Sequence, residues 1–304
     1  FYGADGQPLP EGTLVRNPAL AATLETIAAR GADSFYTGDN ATLLATKVGT
    51  APRNPAPMTS ADLAAYKAVE RPAVCGQYRQ YSICGMGPPS SGATTVYAIL
   101  KQLERFDMKA LGPADPTAWH LIAESQRLAY ADREQYAADA DFVSVPIKGL
   151  IDPAYLAARS ALISPSATMP SALPGTPPGA TLAFARPARQ EEHGTTHFVT
   201  VDRWGNSTSY TSTIEGPFGS GLMVGGYYLN NELTDFNIVP EKDGKPTANR
   251  VEGGKRPRSS MAPTLVYGPD GKLRLAVGAA GGTTIPAQVA KAIIGVLDWN
   301  LSAR

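Results

Sequence analysis

The chain has 304 residues, enough to build a large core in one or two domains. Basic and acidic residues stand at 27 each, so no net field favours nucleic acid or an anionic membrane. Hydrophobic residues make up 43%, and no apolar run approaches the ~20 residues of a membrane span, which leaves a globular α/β or α+β protein. The opening Phe1-Tyr2-Gly3 lacks an initiator methionine and a basic leader, and a helical pattern from Ile285 to Asn300 nearly reaches the terminus; both ends read as those of a fragment or processed product.

In chain order, the first half is mostly helical. Asn17 to Ala29 carries Leu20, Leu24 and Ile27 at helical spacing. Thr59-Ser60-Ala61-Asp62 has the form of a capping box and opens a helix through Tyr66. Val74 to Cys84 reads as a hairpin around an Arg79-Gln80 turn. With Tyr78 opposite Tyr81 as a hydrogen-bonded pair, counting outward residue by residue sets Cys75 opposite Cys84 at a non-hydrogen-bonded position, at a Cα separation of ~4.5 Å that a disulfide can span. Two buried thiols are the alternative reading. A disulfide would point to a periplasmic or secreted location. The three histidines do not cluster with the cysteines, which argues against a zinc site. Ser90 or Ser91 caps the next helix, running to about Phe106, and Thr117 to Tyr136 forms a long one with Leu121, Ser125 and Leu128 on one face.

From Ser164 to about Pro187 the composition turns to Ser, Pro, Ala and Gly, and the pattern predicts a flexible tether extending to about residue 194. Strands follow at Thr196 to Asp202 and Ser207 to Thr213. The junction is His193-Gly194-Thr195-Thr196-His197. A threonine hydroxyl is a poor nucleophile unless a base adjoins it. An N-terminal threonine carries its own base, because an α-amine has a pKa of ~7.7–8.0. Producing that terminus requires Thr195 to attack the Gly194 carbonyl, forming an ester that water opens. A residue without Cβ suits so closely approached a peptide. Taken alone, the triplet is an ordinary strand start.

Four blocks downstream add specificity. They are Thr195-Thr196-His197 with its hairpin, the segment Leu229 to Phe236, the segment Lys255 to Thr264, and Gly278 to Thr283. In this order they resemble the γ-glutamyltransferase family. Asp62 to Arg71 and Pro88-Pro89-Ser90-Ser91-Gly92 resemble that family's large-subunit segments, so the resemblance runs essentially end to end.

The resemblance implies an α+β fold of the N-terminal-nucleophile type, an αββα sandwich of two stacked antiparallel sheets between helical layers. It also implies self-cleavage between Gly194 and Thr195. Residues 1–194 would be the C-terminal part of a large subunit and 195–304 the N-terminal part of a small one, intertwined in one domain. Thr195 would be the nucleophile, Thr213 its orienting hydroxyl, and Gly281 and Gly282 the oxyanion hole. Glu215, Glu232 and Asp235 would bind the donor's ammonium, and Ser259 and Ser260 its α-carboxylate. The family's arginine for that carboxylate is expected ahead of Phe1. His197 reads as structural, since the amine supplies the base. No metal or cofactor is implied.

The activity implied is hydrolysis or transfer of a γ-glutamyl group from glutathione-like donors, through an ester on Thr195, to water or an amine acceptor. A cephalosporin or glutaryl acylase and an uncleaved, inactive homologue are the alternatives. A glutaryl group brings no ammonium to the carboxylates, which favours the γ-glutamyl reading. Residues 237–254 stand where many relatives carry a lid, but contain no aromatic side chain, which implies an open cleft.

Overall fold

Two compact units make up the chain, Phe1–Val69 with Phe218–Asn230, and Glu70–Pro217 with Asn231–Arg304. The computed structural model describes residues 2–181, 184–185 and 194–303.

In the first unit, cap chemistry sets the helix starts. Helix α1 (Pro18–Arg30) begins where the Asn17 side chain accepts from the Leu20 N–H, with proline in the first turn. Helix α2 spans Gly38–Gly49, and α3 (Ser60–Ala65) opens in the predicted box, with Thr59 and Asp62 satisfying each other's backbone N–H groups. A small core gathers Ala41, Leu44, Leu63 and Val224. The apolar stripe predicted for α1 does not join it: no α1 residue is buried, and Leu24 is 56% exposed. Polar contacts hold the helix instead, from Asn17 to the Gly226 carbonyl (2.7 Å) and from Thr23 to that of Gly225 (2.9 Å).

The second unit is built on an antiparallel sheet. Strands β1 (Ala73–Tyr78) and β2 (Tyr81–Met86) form the predicted hairpin, with Cys75 opposite Cys84 and the two sulfurs bonded. The turn takes Arg79 at φ +54°. Helix α4 (Gly92–Leu103) is buried on nearly every face, α5 (Pro116–Tyr136) and α6 (Pro153–Ser160) pack beside it, and α7 (Ile285–Leu297) closes the core. Strands β3 (Thr196–Val201) and β4 (Ser207–Ser212) pair with each other, and β5 (Thr264–Tyr267) and β6 (Leu273–Val277) complete the sheet in the order β1-β2-β5-β6. Ile99, Leu100, Leu128, Val266, Val289 and Ile293 are among its core residues. The described chain is therefore α+β with antiparallel sheets.

Ser91 is the N-cap residue of α4, one of the two the pattern offers, but the hydroxyl that accepts from Gly92 N–H, at 3.0 Å, is that of Ser90, while Ser91 donates to the Ser259 carbonyl at 2.8 Å. The ends of α4 and α7 fall short of the sequence pattern, each because side chains compete for the backbone. Helix α4 stops at Leu103, not Phe106, because the Arg79 guanidinium takes the carbonyls of Glu104 and Phe106. Helix α7 stops at Leu297, where Asp298 turns to the Tyr78 hydroxyl (2.5 Å) and to Arg79.

The expected tether also differs over residues 164–181. Its backbone is held by side chains of α5 and α6: Met169 N–H donates to Glu124 and Gly175 N–H to Asp132, both at 2.8 Å, while Arg159 donates to the Leu173 carbonyl at 2.7 Å. A Ser/Pro/Gly-rich segment buries little apolar surface, yet its peptide groups can be satisfied from a helix's polar side. Residues 182–183 and 186–193, with His193, lie outside the described residues.

Gly92 shows how tightly α4 meets the segment after β4. An added Cβ would lie 2.4 Å from the Met261 carbonyl oxygen. Alanine normally favours a helix over glycine by about 1 kcal/mol, but overpacking against backbone costs about 1–3 kcal/mol. Gly92→Ala is therefore expected to lower stability, read as a reduced urea midpoint; a raised midpoint would show that the 259–262 segment yields freely.

Candidate active site

The β3–β4 hairpin pairs Thr196 with Ser212, so Thr195 and Thr213 flank its open end. Both hydroxyls converge on one carbonyl, that of Gly194. Thr195 donates to it, and Thr213 donates at 3.0 Å while accepting from Glu215 N–H at 2.8 Å. Gly194 sits at φ +72°, and a Cβ there would stand 1.9 Å from the Glu215 carbonyl oxygen. Only glycine fits this position, for both reasons.

Glu215 is itself in the left-handed region, at φ +68°. Asn231 holds it there, accepting from Gly216 N–H at 2.8 Å and donating to the Glu215 carboxylate and to Thr234. Asn231 was not legible as a site residue, since asparagine in a turn is the commonplace reading.

Gly194, Thr195 and Thr213 line a narrow cleft together with the buried carboxylates of Glu215 and Asp235, the segment Ser259-Ser260-Met261, Gly282 and Ile285. Of the predicted site residues, Glu232 and Gly281 do not line it. Glu232 lies half-buried at the start of a 3-10 turn that ends at Asp235, and Gly281, at φ +127°, accepts from Thr284 N–H and hydroxyl. His197 is also outside the cleft. Its Nδ1 meets the Thr211 hydroxyl at 2.8 Å, its ring packs where Gly278 leaves no Cβ, and burial pushes its pKa down.

The base of the 237–254 loop is buried, and its Asn249 bridges two parts of the site. Its Nδ2 donates to the Asp235 carbonyl at 2.7 Å and its Oδ1 accepts from Arg258 N–H at 2.9 Å. The exposed tip is a short hairpin that turns at Asp243-Gly244, both at positive φ.

Beneath Ser259 and Ser260 lies a buried charge cluster that sequence reasoning missed. Arg133 on α5 donates to the hydroxyls of Ser91 (2.8 Å) and Ser260 and to Glu134 (2.5 Å). Glu134 in turn faces Arg258 Nη1 at 3.0 Å. Burial drives the Glu134 pKa up, but the charges of Arg258 and Arg133, with their hydrogen bonds, reverse this and hold it below the ordinary glutamate value. The sequence carried no signal for it, since all six residues from Ala131 to Tyr136 are buried only through the packing of the helix end. Among the described residues, no three His, Cys, Asp or Glu side chains gather to hold a metal ion. No helix there is long and apolar enough to cross a membrane.

The family profile described as Gamma-glutamyltranspeptidase matches residues 1–304. The chain is 38% identical over 312 residues to the glutathione hydrolase proenzyme of Escherichia coli K12, covering 99% of this chain and 51% of that protein. It is 34% identical over 299 residues to the acylase ACY 1 proenzyme of Pseudomonas sp. strain SE83, covering 98% and 50%. Cephalosporin acylase from Bacillus halodurans superposes with a TM-score of 0.80 at 22% identity over 98% of this chain and 50% of that one, a likeness of fold alone. The chain thus spans about half the length of the relatives it matches.

The Glu134 cluster generates a pH dependence. A carboxyl whose folded pKa lies below its unfolded value, ~4.3, stabilises fully above that value and loses its contribution as pH falls through the folded pKa. Urea midpoints of the wild type and Glu134→Gln should therefore differ by a constant amount near neutrality and converge below about pH 4. A gap that persists unchanged at pH 3 would show that the ionised form is not what stabilises the cluster.

Proposed function

Because the chain belongs to the gamma-glutamyltranspeptidase family, we propose that it is the nucleophile-bearing part of a γ-glutamyl hydrolase and transferase that cuts its own backbone before Thr195. The observation that carries this reading is the convergence of two hydroxyls on the carbonyl of a peptide that only glycine can form. In cleavage the Thr195 oxygen attacks Gly194 and the amide becomes an ester, while the Thr213 hydroxyl, already donating to the carbonyl oxygen, stabilises the negative charge that develops there. Such a donor is typically worth ~2.7–4 kcal/mol in the transition state. As the ester forms, the Gly194–Thr195 C–N bond breaks and the hydroxyl proton passes to the departing amine; water then opens the ester, leaving a carboxylate on Gly194 and a free hydroxyl beside the amine of Thr195.

In turnover that amine takes the proton from the Thr195 hydroxyl, and the oxygen attacks the donor's γ-amide. The departing amine leaves a γ-glutamyl ester on Thr195, which water or an acceptor amine resolves. Backbone N–H groups at Gly281-Gly282 serve the second oxyanion. Thr213 orients the nucleophile, Glu215 and Asp235 hold the α-ammonium from the cleft lining, with Glu232 assigned to it by the family resemblance alone, and Ser259 and Ser260 hold the α-carboxylate. The cleft's own chemistry supports this division, with the carboxylates of Glu215 and Asp235 and the hydroxyl-bearing residues Thr195, Thr213, Ser259 and Ser260 along one lining.

The proenzyme named for the Escherichia coli relative supports the division of the chain at 194/195 into parts of a large and a small subunit. The αββα sandwich and the intertwining of the two parts belong to the same proposal. The Cys75–Cys84 bond supports a periplasmic or secreted location. The likeness to acylase ACY 1 favours a second reading, a glutaryl-type acylase. Against it, Glu215 and Asp235 are buried in the cleft and would face a substrate that carries no countercharge.

In the full-length protein, Thr195→Ala should leave a single uncut chain that does not hydrolyse a γ-glutamyl anilide, and Thr195→Ser should keep both reactions at reduced rates. Intact mass and N-terminal sequencing decide it: a Thr195→Ala product beginning at residue 195 would refute self-cleavage. Glu215→Ala should lower kcat/KM for γ-glutamyl donors by about tenfold or more while lowering it little for glutaryl donors, as loss of a buried ionic partner requires. Equal losses on both donors would return the acylase reading.

A further inference from the structure

The Cys75–Cys84 disulfide takes no part in the reaction on Thr195, and its surroundings give it chemistry of its own. The two cysteines face each other across β1 and β2 and are bonded. Side chains alternate along a strand, so the neighbouring positions show which way each face looks. A Cβ on Gly76 would stand 2.3 Å from the Tyr97 ring, and one on Gly85 3.1 Å from the Ala93 side chain, so Gly76 and Gly85 face α4. Cys75 and Cys84 therefore lie on the opposite face, away from the core. On β1 that face is open: Ala73, Cys75 and Gln77 are all exposed, whereas Cys84 on β2 is half-buried.

The two sulfurs differ in how they can be approached. A thiolate attacks a disulfide in line with the bond it breaks, from behind the sulfur it joins. Strand β1 is the edge of the sheet, in the order β1-β2-β5-β6, so the line through the bond leads past Cys75 to the open edge. In the other direction it leads past Cys84 to β5, where Leu265 stands opposite. They differ as leaving groups too. The Ser82 hydroxyl, two residues before Cys84 on the same face, lies 3.8 Å from its sulfur and can donate to the thiolate that attack at Cys75 releases. Cys75 is thus the sulfur to be joined and Cys84 the sulfur to depart. The pairing of β1 with β2 runs from Ala73 and Met86 to Tyr78 and Tyr81, so hydrogen bonds hold the strands when the bond opens.

We propose that Cys75–Cys84 is a thiol–disulfide exchange site for small aliphatic thiols. The thiolate sulfur forms a bond to Cys75 Sγ, the Cys75–Cys84 bond breaks, and its electron pair leaves on Cys84 Sγ, which takes a proton from water. One disulfide is lost and one is gained, so the step needs no further oxidant or reductant. The class of thiol rests on the γ-glutamyl reading: glutathione carries such a group, and so does the cysteinylglycine that departs when its γ-amide is cut.

The test uses the full-length protein with cysteinylglycine, which has no γ-glutamyl group and reports on exchange alone, at about pH 8, near the ordinary thiol pKa. After quenching at early times with N-ethylmaleimide, peptide mass mapping should find cysteinylglycine on Cys75 and the maleimide on Cys84. Ser82→Ala should slow the appearance of this adduct about threefold or more without moving it, and Ser82→Thr should restore the rate. No adduct, an adduct on Cys84, or a rate indifferent to Ser82→Ala overturns the assignment. Hydrolysis of γ-glutamyl 4-nitroanilide is followed in the same preparation. Exchange without hydrolysis refutes the γ-glutamyl reading and supports the exchange site, and hydrolysis without exchange does the reverse.

Discussion

The guanidinium of Arg133 is the fixed point on which the second unit's site depends. It reaches from the last turn of a helix in the N-terminal half of the chain to Ser260, more than a hundred residues later, and to Ser91 at the start of the central helix. Burying a cation is costly unless every donor is used and a countercharge is near. Here Glu134 supplies a countercharge and two serine hydroxyls accept from the same guanidinium, so the cost of burial becomes a constraint on geometry. Any displacement of the 258–261 segment would strand a buried charge. One turn earlier on the same helix, the Tyr130 hydroxyl donates to the Thr283 carbonyl, so α5 also holds the Gly281-Gly282 turn.

A second constraint works through exclusion rather than attraction. The Gly194 peptide passes so close to Glu215 that no side chain can stand between them. That approach brings the Thr213 hydroxyl onto the carbonyl that Thr195 also touches, and Asn231 fixes the far side by holding Glu215 at a positive φ. The fold therefore holds both hydroxyls on one carbonyl, the arrangement on which the proposed cleavage rests. Asn249 plays the corresponding part between Asp235 and Arg258, so the loop that contains it serves as a brace at its base and reaches solvent only at its tip.

Much of this was legible in the residues. The capping box at Thr59, the hairpin register that sets Cys75 against Cys84, the long helix ending at Tyr136 and the strand start after Gly194 all follow from local spacing and cap chemistry. The resemblance to a family then singled out Thr195, Thr213, Glu215, Asp235, Ser259, Ser260 and Gly282, and all of these line one cleft. What misled was composition read without partners. The Ser/Pro/Gly stretch after Ser164 has little to bury, yet its peptide groups are satisfied by Glu124, Asp132 and Arg159. The apolar stripe of α1 is real in the sequence, but contacts from Asn17 and Thr23 hold that helix.

The sequence by itself determined the local elements, because these rest on periods of two and 3.6 residues and on caps. Thr195 was singled out only by the resemblance to a family, since a glycine before a threonine is by itself an ordinary strand start. Only the tertiary structure decided which charges are buried and what they face. Arg133, Glu134 and Arg258 are ordinary charged residues in the chain, and nothing in their spacing joins α5 to Ser260. Their role comes from the packing of α5 and α4 against the segment before β5, which places a cation beneath two serines and removes the water that would otherwise screen it.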